Sequence, residues 1–208
     1  MMWECLRVFP TATSYHFSKF KKGQAKIMFF KTEKHRNLFT ERLKLRAPSF
    51  LDVNDIFDFC SDPASSKYAD WYPHGSKSDT RDYIAWLKRK SGDKNYTWVI
   101  EHREIEKVIG TISIVDTDYS GKIVTVGYTL SRLYQHKGYA TEALKELIRY
   151  IFEELQAERV EAKVIPENEP SCRLLERVGM KKEGTLKKGA FCKTNCVDVY
   201  LFAITNRT

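Results

Sequence analysis

From Ala140 to Leu155 the apolar residues fall at offsets 0, 3, 4, 7, 8, 11, 12 and 15, the spacing of an α-helix with one continuous apolar face. Glu142, Lys145, Glu146, Arg149 and Glu153 take the opposite side. Just before this helix stands Gln135-His136-Lys137-Gly138-Tyr139-Ala140-Thr141, and before that a strand end, Tyr128-Thr129-Leu130. The order is strand, short polar turn, helix. In such a turn the backbone N–H groups, freed of bulk at Gly138 and Ala140, converge where the helix dipole is positive, and a diphosphate fits there. A lone G-x-A serves equally well in an ordinary junction whose glycine only relieves crowding.

The usual nucleotide signatures are missing: no G-x-x-x-x-G-K-[ST] occurs, and no G-x-G-x-x-G follows an apolar strand. Downstream, Arg159–Val164 alternates apolar and polar residues as a half-buried strand does. Pro166-Glu-Asn168-Glu-Pro170-Ser171 then leads into a short helix over Cys172–Val178 closed by Gly179. Elsewhere the patterning predicts a first strand over Leu43–Ala47 and helices over Asp52–Cys60 and Thr80–Lys90, with Asp79 as N-cap of the latter. Strands are expected at Trp98–Glu101, Val108–Val115 and Val124–Leu130, with a closing hairpin of Lys181–Leu186 and Val197–Ile204.

Q-x-x-G-x-A-T-E-A after a G-Y-x-L strand, followed by E-N-x-P-S-x-x-L-x-E-x-x-G-M and K-E-G, resembles the GNAT superfamily of acetyl-CoA-dependent N-acetyltransferases. Within it the sequence is most similar to the RimJ/RimL-type branch, named for enzymes acting on ribosomal-protein N-termini. Leu38-Phe-Thr40-Glu-Arg42-Leu-Lys-Leu-Arg46 resembles that branch's first strand, and Ile109-Gly-Thr-Ile-Ser-Ile114 its third. The resemblance runs from about Leu38 to Ile204. It implies an α+β GNAT fold: a mixed, mostly antiparallel, seven-stranded sheet with helices on both faces and a splay between strands 4 and 5.

The same resemblance implies acetyl-CoA as cosubstrate and a primary amine as acceptor, joined by direct attack in a ternary complex. Tyr128, Thr129 and Leu130 would meet the pantetheine arm, and Gln135, His136, Lys137, Gly138, Tyr139, Ala140 and Thr141 the pyrophosphate. The Leu130 N–H would stabilise the thioester oxygen. Ser171 would supply a proton to the leaving thiolate, and Asn168 would brace the splay and touch the cofactor. A capping hydroxyl at Ser171 and a turn amide at Asn168 are the structural alternatives. For the general base Glu101, at a strand end, is the named candidate, beside a base of ordered waters and carbonyls. No metal is expected. The aromatic loop around Asp70, Trp71 and Tyr72 is expected to line the acceptor site, although such rings often form a satellite core.

The chain of 208 residues suits one domain, 42% hydrophobic with 13% aromatics, and no apolar run approaches the ~20 residues that span a bilayer. Five cysteines, an odd number with no C-x-x-C pair, fit free thiols in a reducing cytoplasm. Residues 1–37 carry +6 of the net charge of +8, which leaves the domain over 38–208 nearly balanced. The basic extension could precede a native start at Met28, ahead of Phe29-Phe30-Lys31. Neither a membrane nor a nucleic acid is the expected partner, and homodimerisation through a sheet edge stays open. Two other classes remain at this level: a non-catalytic acyl-CoA-binding module, and a nucleic-acid binder acting through the extension, whose affinity would fall steeply with salt.

Overall fold

The structure, a computed structural model, describes residues 36–91, 95–118 and 120–206. The expected extension over 1–37 and the start at Met28 lie almost wholly outside these residues. One eight-stranded sheet runs in the order β1-β2-β3-β4-β5-β6-β8-β7, formed by Leu38–Phe39 (β1), Leu43–Arg46 (β2), Tyr96–His102 (β3), Lys107–Thr117 (β4), Ile123–Leu130 (β5), Arg159–Val164 (β6), Lys181–Cys192 (β7) and Asn195–Thr205 (β8). The helices are Val53–Cys60 (α1), Lys77–Lys90 (α2), Tyr139–Glu153 (α3) and Glu169–Arg177 (α4). All neighbouring strands are antiparallel except β5 and β6.

Both faces of the central strands are covered, so strand residues alternate between two cores. Trp98 and Ile100 of β3 join the cluster built on Leu144, Leu147 and Ile151 of α3. Val99, between them, joins Val53, Ile56, Phe59 and Ile84 under α1 and α2. Helix α3 buries Ala143, Leu144, Leu147, Ile148 and Ile151, the face its sequence spacing predicts.

Several boundaries differ from the sequence reading, each for a local reason. The segment read as one first strand is a hairpin, which raises the strand count from seven to eight. Its turn closes because Thr40 N–H donates to the Leu43 carbonyl at 2.9 Å while Thr40 Oγ1 accepts from Leu43 N–H at 3.0 Å. Helix α2 starts earlier than Thr80: Ser76 is the N-cap and Asp79 returns the bond from the third helical position, a reciprocal capping box. Helix α4 starts at Glu169 because Asn168 caps it. The closing hairpin extends to Cys192 and Asn195.

The parallel contact positions the site. β5 and β6 register only at Ile123–Arg159, Val124–Val160 and Thr125–Glu161. Beyond Thr125, β6 continues against β8 as far as Val164–Tyr200, while β5 continues against β4 as far as Leu130–Gly110. The two strands diverge, and the far half of β5 has no β6 residue opposite it. This is the expected splay, one strand later in the count because of the extra hairpin strand.

Candidate functional site at the splayed strands

Strand alternation decides which backbone groups face the gap. Ser131 N–H donates to the Ile109 carbonyl of β4 at 2.8 Å. Successive N–H groups point to opposite edges, so the Leu130 N–H turns away from β4 toward the opening left by β6. β4 and β5 also approach closely here, because a Cβ on Gly110 would stand 2.3 Å from the Thr129 carbonyl oxygen. Gln135 ties the following turn to the strand end, its side-chain amide donating to the Leu130 carbonyl at 3.2 Å.

The turn needs left-handed backbone at two places, His136 with φ +62° and Gly138 with φ +85°. Such a reversal turns consecutive N–H groups toward one point. Gly138 is the N-cap of α3 and offers no side chain to the first helical N–H groups. An open depression of about 380 Å³ at this helix end is lined by Glu41, Gly138, Thr141, Glu142, Lys145 and Arg177. Its two lining cations, Lys145 on α3 and Arg177 at the end of α4, come together only through the fold. Neither stood out in the sequence, since a surface lysine and arginine on separate helices carry no local signature.

Several turn residues serve the scaffold with their side chains. Tyr139 packs on the α3 core and its hydroxyl meets His102 Nε2 at 2.9 Å, leaving only its backbone for a ligand. Lys137 offers its carbonyl to Arg42 Nη1 at 3.1 Å, while its ammonium lies 5.4 Å from the Tyr134 ring centroid. His136 is exposed.

Across the gap, Ser171 is not a cap. Asn168 caps α4, its Oδ1 accepting from Ser171 N–H at 3.4 Å, and the Ser171 hydroxyl reaches instead to the Tyr128 hydroxyl of β5 at 2.7 Å. Burial pushes the Tyr128 phenol well above its ordinary range, the bond to Ser171 opposing only in part, so the phenol stays protonated. A hydroxyl pair therefore links β5 to the first turn of α4, two residues from Leu130 along the strand.

The acceptor loop and Glu101 are placed differently. Tyr68 donates to the Glu167 carbonyl at 3.0 Å and Cys192 Sγ contacts the Ala69 carbonyl at 3.4 Å, which draws the α1–α2 loop toward the start of α4 and the tip of the β7–β8 hairpin. Asp70 is exposed on it, as is Tyr72, with Lys193 Nζ 5.5 Å from the Tyr72 ring. Trp71 instead packs against the α1–α2 core and stands 5.7 Å from His74. Glu101 lies on β3, two strands or about 10 Å from β5 at ordinary spacing. Its carboxylate is paired with Arg46, and with Lys44 at 3.7 Å, both on β2 and so on the side away from β5.

Residues 42–181 match the acetyltransferase (GNAT) domain family. The p20 N-acetyltransferase of Bacillus licheniformis is 37% identical over 172 residues, 82% of this chain and 96% of the relative. A GNAT-family acetyltransferase from Bacillus anthracis superposes with a TM-score of 0.72 at 28% identity, over 82% of this chain and 98% of its own. Mycobacterium smegmatis RimJ, solved in complex with a CoA disulfide, shares the fold with a TM-score of 0.69 at 23% identity, over 78% and 81% of the two chains.

Proposed function

The chain belongs to the GNAT acetyltransferase family and is an acetyl-CoA-dependent N-acetyltransferase; from that premise we propose that its acceptor is a primary amine, on a peptide or protein N-terminus or a small molecule, that attacks directly in a ternary complex. The observation that carries this reading is the Tyr128–Ser171 hydroxyl pair, 2.7 Å apart at the mouth of the splay. Acetyl-CoA supplies an acyl thioester. The open β5 edge at Tyr128, Thr129 and Leu130 would take the amides of its pantetheine arm as an added strand takes a partner. The bare N-terminus of α3, from Gln135 to Thr141, would hold the diphosphate, with Lys145 and Arg177 adding charge.

In the reaction the Leu130 N–H donates to the acyl oxygen as it gains negative charge. With Tyr128 donating to Ser171 Oγ, the Ser171 hydroxyl would hydrogen-bond the sulfur as the C–N bond forms and the C–S bond breaks; the proton the attacking amine loses neutralises the thiolate, so Tyr128 and Ser171 both end as hydroxyls. An α-amine suits a site without a dedicated base, because with a pKa of about 8 roughly a tenth of it is neutral at pH 7, against far less of a lysine amine. Asp70 and Tyr72 would meet the amine, and Glu101, held by Arg46, would act on it only through water.

A thiol-release assay with acetyl-CoA against N-terminal peptides, polyamines, aminoglycosides and amino acids tests the proposal. Release with an α-amine peptide or small primary amine is expected. Binding of acetyl-CoA with silence across the panel would overturn the acceptor assignment.

A further inference from the structure

The turn proposed to hold the diphosphate is gripped from a distant part of the chain. Arg42, in the turn between β1 and β2, reaches three of the residues around Gly138. Its Nε donates to Glu142 Oε2 at 2.7 Å and its Nη2 lies 2.6 Å from the same oxygen. Its Nη1 donates to the Lys137 carbonyl at 3.1 Å. Its guanidinium carbon stands 4.4 Å from the centroid of the Tyr139 ring. The other carboxylate oxygen, Glu142 Oε1, accepts from Arg42 N–H at 2.9 Å and from Thr40 Oγ1 at 2.5 Å. Three hydrogen bonds and the ion-pair contact from Nη2 thus converge on one carboxylate, with both of its oxygens engaged.

The hairpin turn is itself held. Arg103 Nη1 donates to the Thr40 and Glu41 carbonyls at 2.9 and 3.1 Å, and Arg103 N–H donates to the Arg42 carbonyl at 2.9 Å. The guanidinium also lies against the bare side of Gly138, where a Cβ would come within 3.3 Å of Arg42 Nη2.

The geometry points to Arg42, with Glu142 and Thr40, as a positioning clamp that fixes the direction of the N–H groups at the start of α3 and so sets affinity for the diphosphate of coenzyme A. This rests on reading that helix end as the diphosphate site. Glu142 separates the clamp from simple charge attraction, because its carboxylate borders the depression. If charge alone governed binding, removing that negative charge would tighten an anionic ligand. A clamp makes the opposite prediction, since the neutral amide cannot hold the guanidinium as a carboxylate does.

The test measures dissociation constants of coenzyme A and of pantetheine, which has no diphosphate, for wild type, Glu142→Gln and Arg42→Lys. Each variant is expected to weaken coenzyme A about tenfold while pantetheine stays within roughly twofold. The lysine keeps a positive charge and is not expected to rescue. Thr40→Val, which leaves both charges and removes the hydroxyl that donates to Glu142 and accepts from Leu43 N–H, keeps the question answerable should the others fold poorly; it is expected to weaken coenzyme A about threefold. Tighter or unchanged binding in Glu142→Gln, or equal losses for both ligands, would overturn the clamp. A wild type that binds coenzyme A no better than pantetheine would overturn the diphosphate site itself.

Discussion

The two ends of this site are built by different means. At the α3 end a half-buried carboxylate, Glu142, accepts three hydrogen bonds and an ion-pair contact from the β1–β2 turn. At the proposed acceptor end the α1–α2 loop packs Trp71 on the α1–α2 core, but its polar ties across the site are one phenol bond from Tyr68, thiol contacts from Cys192 and a 4.0 Å approach of Arg132 to Asp62, and it leaves Asp70 and Tyr72 exposed. Charge-assisted bonds shielded from water resist displacement, whereas neutral or exposed contacts are weak and rearrange readily. A shared cosubstrate calls for the first kind of construction. A variable acceptor is better served by the second.

This contrast can be broken where the ends meet. Ser171→Ala is expected to lower turnover about a hundredfold, the range for losing one hydrogen-bond donor to the reacting atoms, with coenzyme A affinity within about twofold by calorimetry. Unchanged turnover would remove Ser171 from the chemistry. On the α3 side, Gly138→Ala forces a side chain into left-handed backbone and against Arg42, and is expected to weaken coenzyme A about fivefold whichever amine is supplied. A loss that varied with the amine would show that the turn also reads the acceptor.

Smaller effects belong to the exposed loop. Asp70→Asn is expected to raise the KM for an amine by no more than about fivefold, the limit for an exposed charge pair, and to leave coenzyme A binding unchanged. No effect on any amine would place the acceptor elsewhere. The smallest effect is on stability against pH. Burial pushes the Glu142 carboxyl up, but the bonds from Thr40 and Arg42 outweigh it and hold the group below the usual carboxylate range. Its contribution is therefore present above the unfolded pKa of about 4.3 and lost as pH falls through the lower folded value. Urea midpoints of wild type and Glu142→Gln should differ at pH 7 and converge in that acid window; a gap that persisted there would disprove it.

What could be read from the residues was local. The α3 periodicity, the Gly138 turn and the Gly179 stop follow from spacing and backbone freedom over a few residues, and they stand in the structure where the sequence puts them. Boundaries slipped where a cap lay outside the apolar pattern: capped by Ser76 and Asn168, the two helices start at Lys77 and Glu169, each three residues before the expected Thr80 and Cys172. For Ser171 the sequence left two roles open, cap or donor. Only the fold, by giving the cap to Asn168, turned its hydroxyl to Tyr128.

The sequence by itself determined that a glycine-centred polar turn opens a well-packed helix, because helix periodicity and glycine conformation act within one or two turns of chain. Tertiary structure alone decided what grips that turn and what faces it. Tyr128 and Ser171 are 43 positions apart and Arg42 and Glu142 are 100 apart, and nothing in the chemistry of either partner announces the other. Such pairs exist because β5 and β6 part after three registered residues and because the β1–β2 hairpin comes to rest against α3. Both are consequences of sheet register and layer packing, which link residues through space and leave no periodic trace along the chain.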